Sequence, residues 1–202
     1  MPIGLIDYQV NNLKSISSAL SRLDIEYEIL SSSQELSKFK KIILPGVGSF
    51  CAGMESLNLG GWTEEIRNSV ENGSKLLGIC LGMQLLFEKS FEFTESIGLG
   101  LIEGSVRSFE NQIEYPVPHT GWNSIEKKKD HEIFLNINNN VDFYFVHSFY
   151  CNPVDKKVIA ATTNYAIEFP SVVLNNNILG VQFHPEKSFP GGSKLLQNFA
   201  NW

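Results

Sequence analysis

Two glycines bracket a cysteine in Gly78-Ile79-Cys80-Leu81-Gly82, where the apolar run Leu76-Leu77 gives way to the helix-like Met83-Gln84-Leu85-Leu86-Phe87-Glu88. A buried strand that must turn at once into a helix holds its corner residue on a tight elbow, with the side chain presented outward. Glycines flank such a corner because backbone segments there approach too closely for a Cβ, or need φ values that side chains resist. A helix N-terminus beside the sulfur favours thiolate over thiol. The spacing therefore predicts a strand, a turn and a helix, and a cysteine placed as a nucleophile. Taken alone, Cys80 also fits a small buried apolar residue, the commonest fate of an unpaired thiol.

Partners for that thiol lie far along the chain. Ile178-Leu179-Gly180-Val181-Gln182-Phe183-His184-Pro185-Glu186 reads as a buried strand stopped by a proline, which puts His184 at a strand end. Glu186 is close enough to hold one imidazole nitrogen while the other faces a thiol. Cysteine, histidine and a carboxylate that orients the histidine form the set that nucleophilic catalysis requires. Separately, His184 fits a structural histidine and Glu186 a solvated charge; together with the elbow they fit a triad.

With 202 residues the chain can fill one core, and a single domain over 1–202 is expected. A net charge of −6 and a pI near 5.2 argue against nucleic acid as a partner. Lys127-Lys128-Lys129, the basic run, is followed at once by Asp130 and Glu132 and reads as a solvated turn. Cys51, Cys80 and Cys151 form neither a zinc spacing nor a disulfide framework, which points to a reducing compartment. No stretch approaches a membrane span, and the start lacks a basic region and a long apolar run. The expectation is a cytoplasmic chain without membrane or signal segments.

Along the first half, short apolar runs alternate with helix-period segments. Ile3–Ile6, Tyr27–Leu30, Lys41–Leu44 and Lys75–Ile79 read as strands; Leu13, Ile16, Leu20 and Leu23, and later Trp62, Ile66 and Val70, recur at helical spacing. Such alternation predicts an α/β fold with a mostly parallel, flavodoxin-like sheet and helices on both faces. Ligands then bind beyond the carboxyl ends of the strands, where Cys80 and Pro45-Gly46-Val47-Gly48 fall. In the second half, 117–125, 141–150, 158–163, 172–174 and 178–183 read as strands between Asn-rich turns, before a closing helix after Gly191-Gly192. Antiparallel strands added to the parallel core are expected there.

The elbow, the His-Pro-Glu and Leu44-Pro45-Gly46-Val47-Gly48 resemble class I, triad-type glutamine amidotransferases. With Pro118-His119-Thr120-Gly121-Trp122-Asn123, Tyr144-Phe145-Val146-His147-Ser148 and Gly180-Val181-Gln182-Phe183-His184-Pro185-Glu186-Lys187-Ser188, the order of motifs is similar to the glutaminase subunits of imidazole glycerol phosphate synthases. The resemblance spans nearly the whole chain. It implies hydrolysis of L-glutamine by Cys80, His184 and Glu186, with no cofactor and no metal. It also implies an oxyanion site of backbone N–H groups at Leu81 and in the Val47-Gly48 segment, and contacts to glutamine from Gly46, Gln84, Glu92, His147 and Ser148. For Gln84 and Glu92 an ordinary helix surface stays open, and for His147 a structural histidine fits better than a base.

Ammonia released into neutral water is mostly ammonium and no longer a nucleophile, so an acceptor site must adjoin. The chain is spent on the glutaminase fold, which implies a separate synthase subunit. By resemblance this is a (β/α)₈-barrel cyclase forming a heterodimer, with Asn12, Trp122 and Lys187 at the interface. Their alternatives are a helix cap, a core aromatic and a surface lysine. The chain departs from the family in Asp7-Tyr8-Gln9-Val10-Asn11-Asn12, where Gln9 and Asn11 replace glycines of the family's Asp-Tyr-Gly-x-Gly-Asn. A changed loop facing the partner leaves a second acceptor open, a synthase that modifies surface-polysaccharide sugars. Cysteine hydrolases and redox-sensing chaperones share an elbow cysteine on such a sheet but lack the remote His-Pro-Glu.

Overall fold

Strands covered on both faces need consecutive buried apolar residues, and Ile3–Ile6, Lys41–Leu44 and Lys75–Ile79 supply them. In the computed structural model, which describes residues 1–10, 12–110 and 114–202, the first half runs β1 (Ile3–Ile6), α1 (Leu13–Arg22), β2 (Tyr27–Leu30), β3 (Lys41–Leu44), α2 (Phe50–Leu59), α3 (Trp62–Glu71), β4 (Lys75–Ile79) and α4 (Leu81–Leu85). Strands dominate the second half: β5 (Phe87–Ser90), β6 (Ser96–Ile97), β7 (Ile102–Ser108), β8 (His119–Ser124), β9 (Glu126–Lys127), β10 (Asp142–His147), β11 (Phe149–Pro153), β12 (Ile159–Tyr165), β13 (Ile167–Asn175) and β14 (Ile178–Val181). Helix α5 (Gly191–Asn201) closes the chain.

The large sheet has the order β2-β1-β3-β4-β14-β13-β12-β9. Its first five strands are parallel and its last three antiparallel; antiparallel strands join in the second half as expected, but β14, expected among them, returns to the centre and pairs parallel with β4. Alternate residues face opposite ways. Ile3, Leu5, Ile43, Leu77, Ile79 and Leu179 pack with Ile16 and Leu20 of α1 and Leu195, Leu196 and Phe199 of α5. Ile6, Ile42, Leu44 and Leu76 pack with Phe50, Met54 and Leu57 of α2 and Trp62, Ile66 and Val70 of α3. The helices thus cover both faces. Smaller sheets, β10-β8 and β11-β7-β5-β6, lie beside it. Among the described residues no helix is long and apolar enough to cross a membrane.

Two expectations need correction. The helix after Cys80 stops at Leu85, and Phe87 and Glu88 belong to β5; the run Leu85-Leu86-Phe87 is buried throughout, so its composition does not separate helix from strand. The segment 141–150 is two strands in different sheets, broken at Ser148. The helix α2, with Ser49 Oγ accepting from the Ala52 N–H at 3.4 Å, has a weakly one-sided apolar pattern, so periodicity does not reveal it.

The elbow is locked to the loop after β3 by close backbone approach. A Cβ built on Gly82 would stand 1.9 Å from the Leu44 carbonyl oxygen, and one on Gly78 would stand 2.6 Å from the Gly82 oxygen. Neither obstacle is a flexible side chain. Gly82→Ala is therefore expected to cost about 3 kcal/mol, read as a lower urea midpoint; an unchanged midpoint would mean that loop and elbow are not packed together.

Candidate active site

Three motifs far apart in the chain reach one place because β3, β4 and β14 are neighbours. Leu44 pairs with Gly78 and Val181 with Ile79, so the segments beyond them leave the sheet side by side at its carboxyl end. The Cys80 N–H continues the ladder, donating to the Val181 carbonyl at 2.8 Å. Cys80 itself sits at φ +54°, a left-handed value that a non-glycine residue adopts at a cost of order 1–3 kcal/mol. The strained corner that the flanking glycines predict is present, and Cys80 lines a cavity of about 340 Å³.

His184 comes just after β14 and is clamped through its backbone. Its N–H donates to the Tyr144 carbonyl at 2.9 Å, and Ser188 Oγ donates to its carbonyl at 2.6 Å. On one side of the ring, Nδ1 and Glu186 Oε1 are 2.9 Å apart, both side chains nearly inaccessible. On the other side lies Cys80, which shares the cavity wall with the imidazole and interacts with it electrostatically. Burial is the largest influence on its pKa and lowers it, but the bonds and charges of Cys80 and Glu186 together outweigh burial, pushing the value up to about 10. Cys80, His184 and Glu186 are thus brought together, with the proton held on the imidazole. Weaker contacts flank the sulfur, with the Val146 carbonyl and Gln182 Nε2 each at 3.9 Å.

The loop after β3 departs from expectation. Val47 and Gly48 line the cavity, and Gly48 has φ +95°, which explains its glycine. The Val47 N–H, expected to face an oxyanion, instead donates to the Val10 carbonyl at 3.3 Å. Gly46 does not line the cavity. It is packed behind it, where a Cβ would meet the Tyr8 hydroxyl, Leu81 and the Gly82 nitrogen. Leu81 opens α4, so its N–H has no intrahelical acceptor, and it lies at the cavity.

Gln84, Glu92, His147 and Ser148 all line the cavity. Gln84 is buried, not a helix surface residue, and its Nε2 donates to the Phe149 carbonyl and Gln182 Oε1, both at 3.2 Å. Glu92 accepts from the Phe50 N–H at 2.6 Å, at the start of α2. His147 is a buried structural histidine. Its Nδ1 bonds the Phe149 carbonyl at 2.7 Å, its Nε2 bonds His119 Nδ1 at 3.0 Å, and His119 Nε2 bonds Asn123 Nδ2 at 3.2 Å. With Phe149 offering only an acceptor, the network assigns Nδ1–H to both imidazoles, each neutral. Burial is the main cause that lowers His147 to about 3 and His119 to about 4.

The expected interface residues lie outside the cavity. Trp122 is 56 % exposed and pairs across the β8–β10 ladder with Tyr144, which excludes a core aromatic. Lys187 is exposed with its Nζ 5.5 Å from the Tyr144 ring centroid. Asn12 precedes α1 but does not cap it; its Nδ2 donates to Ser15 Oγ at 3.1 Å. Asn11 lies outside the described residues. Sequence reasoning missed Val10, Tyr8, His119 and Gln182 as members of this region. Only Gln182 carried a usable signal, a buried amide two residues before His184 in an apolar strand.

Comparison with known proteins agrees with this geometry. The family described as glutamine amidotransferase class-I matches residues 4–201. The chain is 47 % identical over 197 residues to the imidazole glycerol phosphate synthase subunit HisH of Methanocaldococcus jannaschii, covering 98 % of this chain and 97 % of that protein. With the protein of the same name from Desulfitobacterium hafniense it shares 42 % over 200 residues, covering 99 % and 94 %. A solved glutamine amidotransferase superposes with a TM-score of 0.77 at 21 % identity, over 100 % of this chain and 98 % of that one. PurLQS from Thermotoga maritima gives 0.78 at 20 %, over 99 % and 98 %. At these identities the superpositions speak for the fold.

The histidines make opposite contributions to stability. An unfolded chain takes up protons near pH 6.5 that native His119 and His147 refuse until about 4 and 3, so the native state loses stability as pH falls through that window. Native His184 keeps a proton that the unfolded chain releases; its contribution is complete below pH 6.5 and is lost as pH rises toward about 10. Imidazole NMR titration should find His119 and His147 unshifted from pH 8 to 5, with His184 still protonated at pH 8. Midpoints near 6.5 for all three would contradict the network.

Proposed function

The chain belongs to the class-I glutamine amidotransferases, and on that footing we propose that it is the glutaminase subunit of an imidazole glycerol phosphate synthase, working in histidine biosynthesis. The Cys80–His184–Glu186 line at the ends of β4 and β14 carries the chemical half of this reading. Relatives of that name at 42 and 47 % identity over nearly the full chain support the pathway half, and they do not favour a sugar-modifying synthase.

In the proposed reaction, the Cys80 sulfur attacks the side-chain carbonyl carbon of glutamine in the cavity, and the carbonyl electrons move onto oxygen. The imidazolium of His184 gives its proton to the departing nitrogen, the C–N bond breaks, and ammonia leaves a thioester on Cys80. Water, losing a proton to His184, attacks the thioester; glutamate leaves and the sulfur is restored. Glu186 keeps His184 in one tautomer and balances its charge throughout. Gln84, Glu92 and the backbone at His147 and Ser148 hold the amino-acid end.

The oxyanion needs two preorganised donors, each worth about 3–4 kcal/mol. Leu81 offers one N–H. The other is that of Val47, which becomes available when the Gly46–Val47 peptide turns away from Val10, with Gly48 allowing the turn. The resting arrangement thereby keeps glutamine hydrolysis low until the Val10 carbonyl is displaced. In this reading a (β/α)₈-barrel synthase subunit displaces it, docking on the face of Asn12, Trp122, Tyr144 and Lys187 in a cytoplasmic heterodimer, and the ammonia passes directly to that subunit.

Cys80→Ala should abolish glutamate release from glutamine, and Glu186→Gln should lower kcat by about 10²-fold or more, both measured with the synthase subunit of the same organism present. Persisting activity in Cys80→Ala, or failure of the two wild-type subunits to co-purify, would overturn the assignment.

A further inference from the structure

Among the buried polar groups beside the sulfur, Tyr8 is the one that glutamine hydrolysis leaves without a task. The residue is 2 % exposed, and its hydroxyl is closed to solvent with no hydrogen-bond partner among the described residues. An unpaired buried donor costs a folded chain stability, and phenylalanine would fill the same space without it. The hydroxyl does not point into idle core. A Cβ on Gly46 would lie 2.5 Å from it, with Leu81 Cβ at 2.9 Å and the Gly82 nitrogen at 3.0 Å. The oxygen therefore faces the Gly46 Cα, on the side where that glycine also meets the elbow. Ser56 of α2 fixes the residue from behind, its hydroxyl donating to the Tyr8 carbonyl. Burial and the charge of Cys80 both push the phenol's pKa up, so it stays a neutral donor.

Gly46 is also the pivot of the peptide that has to turn. Swinging the Val47 N–H from the Val10 carbonyl toward Cys80 sends the Gly46 carbonyl oxygen the opposite way, and that oxygen is two bonds from the Cα that the Tyr8 hydroxyl faces. We propose that Tyr8 is a positioning residue for glutamine hydrolysis: its hydroxyl receives the Gly46 carbonyl when the peptide turns and holds the Val47 N–H on the oxyanion. The inference rests on the glutaminase reading of the site. It also explains why glycine at 46 and a phenol at 8 occur together, since any side chain at 46 would occupy the place of the hydroxyl.

Tyr8→Phe, assayed in the complex with the synthase subunit, decides the matter. A misaimed donor should lower kcat by about 10–100-fold with KM within about twofold of wild type. The melting temperature should stay level or rise, because the unpaired hydroxyl is gone. Alkylation of Cys80 by iodoacetamide, followed by mass spectrometry of the Cys80 peptide, involves no oxyanion and should keep its rate. 4-Aminophenylalanine at position 8, which retains a donor, should recover most of kcat. Unchanged kcat in Tyr8→Phe overturns the proposal. So does a variant that fails to fold, or that loses kcat only together with alkylation rate and melting temperature, because Tyr8 then merely supports the elbow. A Cys80→Ala chain that still hydrolyses glutamine would instead bring down the glutaminase reading, so the two failures are distinguishable.

Discussion

The parallel pairing of β14 with β4 is the constraint on which the rest of the site depends. Residues 80 and 184 have no local reason to meet; they do so because Gly180 lies opposite Gly78, and Val181 opposite Ile79. A slip of one residue would turn the strand's alternate side chains to the wrong faces. The core residues resist that slip: Leu179 and Val181 are fully buried, and Phe183 stacks on Phe143 at 4.0 Å between ring centroids. Losing an aromatic such as Phe183 from the core costs about 3–5 kcal/mol, so packing energy on one face of β14 fixes the place of a histidine at its end. The pairing of β3 with β4 does the same for the Val47 loop.

Much of this was legible in the residues because it rests on signals that act locally. Glycine spacing marks the elbow, alternating apolar runs mark the parallel strands, and a strand-ending proline marks His184. Glu186 was legible because its partner is two residues away. What stayed hidden depends on pairing at a distance. Nothing local says that the Val47 N–H is taken by Val10, that Gly46 is packed against Tyr8, or that His119 and His147 complete each other's hydrogen bonds across the β8–β10 ladder. Trp122 and a core aromatic look alike in sequence; only the ladder shows that its face is open.

Three groups of the site break local rules. Cys80 has a left-handed φ, the Tyr8 hydroxyl is unpaired, and Glu186 Oε2 is buried without a partner among the described residues. Gln9, exposed in the segment after β1, is strained as well. It stands where the resembling family has glycine, and its φ of +70° explains that glycine; the chain holds glutamine there under strain, partly offset by a 3.1 Å bond from its N–H to Asp7 Oδ1. Costs held at Cys80 and the groups beside it are of the kind that function, not folding, imposes.

Electrostatics then distinguishes the three imidazoles near the site. His184 has a carboxylate on Nδ1, and the Cys80 sulfur adds to the stabilisation of its proton. His147 faces a carbonyl and a second neutral imidazole, and the positive charge of His184 further opposes its protonation. The proton is thereby confined to the one ring that Cys80 and Glu186 both stabilise. The neutral pair is left to position the Phe149 carbonyl, which orients Gln84 and through it Gln182 beside the sulfur. Because the far end of that pair is Asn123, adjacent to exposed Trp122, and because the Tyr144 carbonyl holds the His184 N–H, the outer β8–β10 ladder is tied to both sides of the catalytic line. Contact on the outer face of that ladder would bear on the groups that orient Cys80 and His184, a physical route from the surface to the cavity.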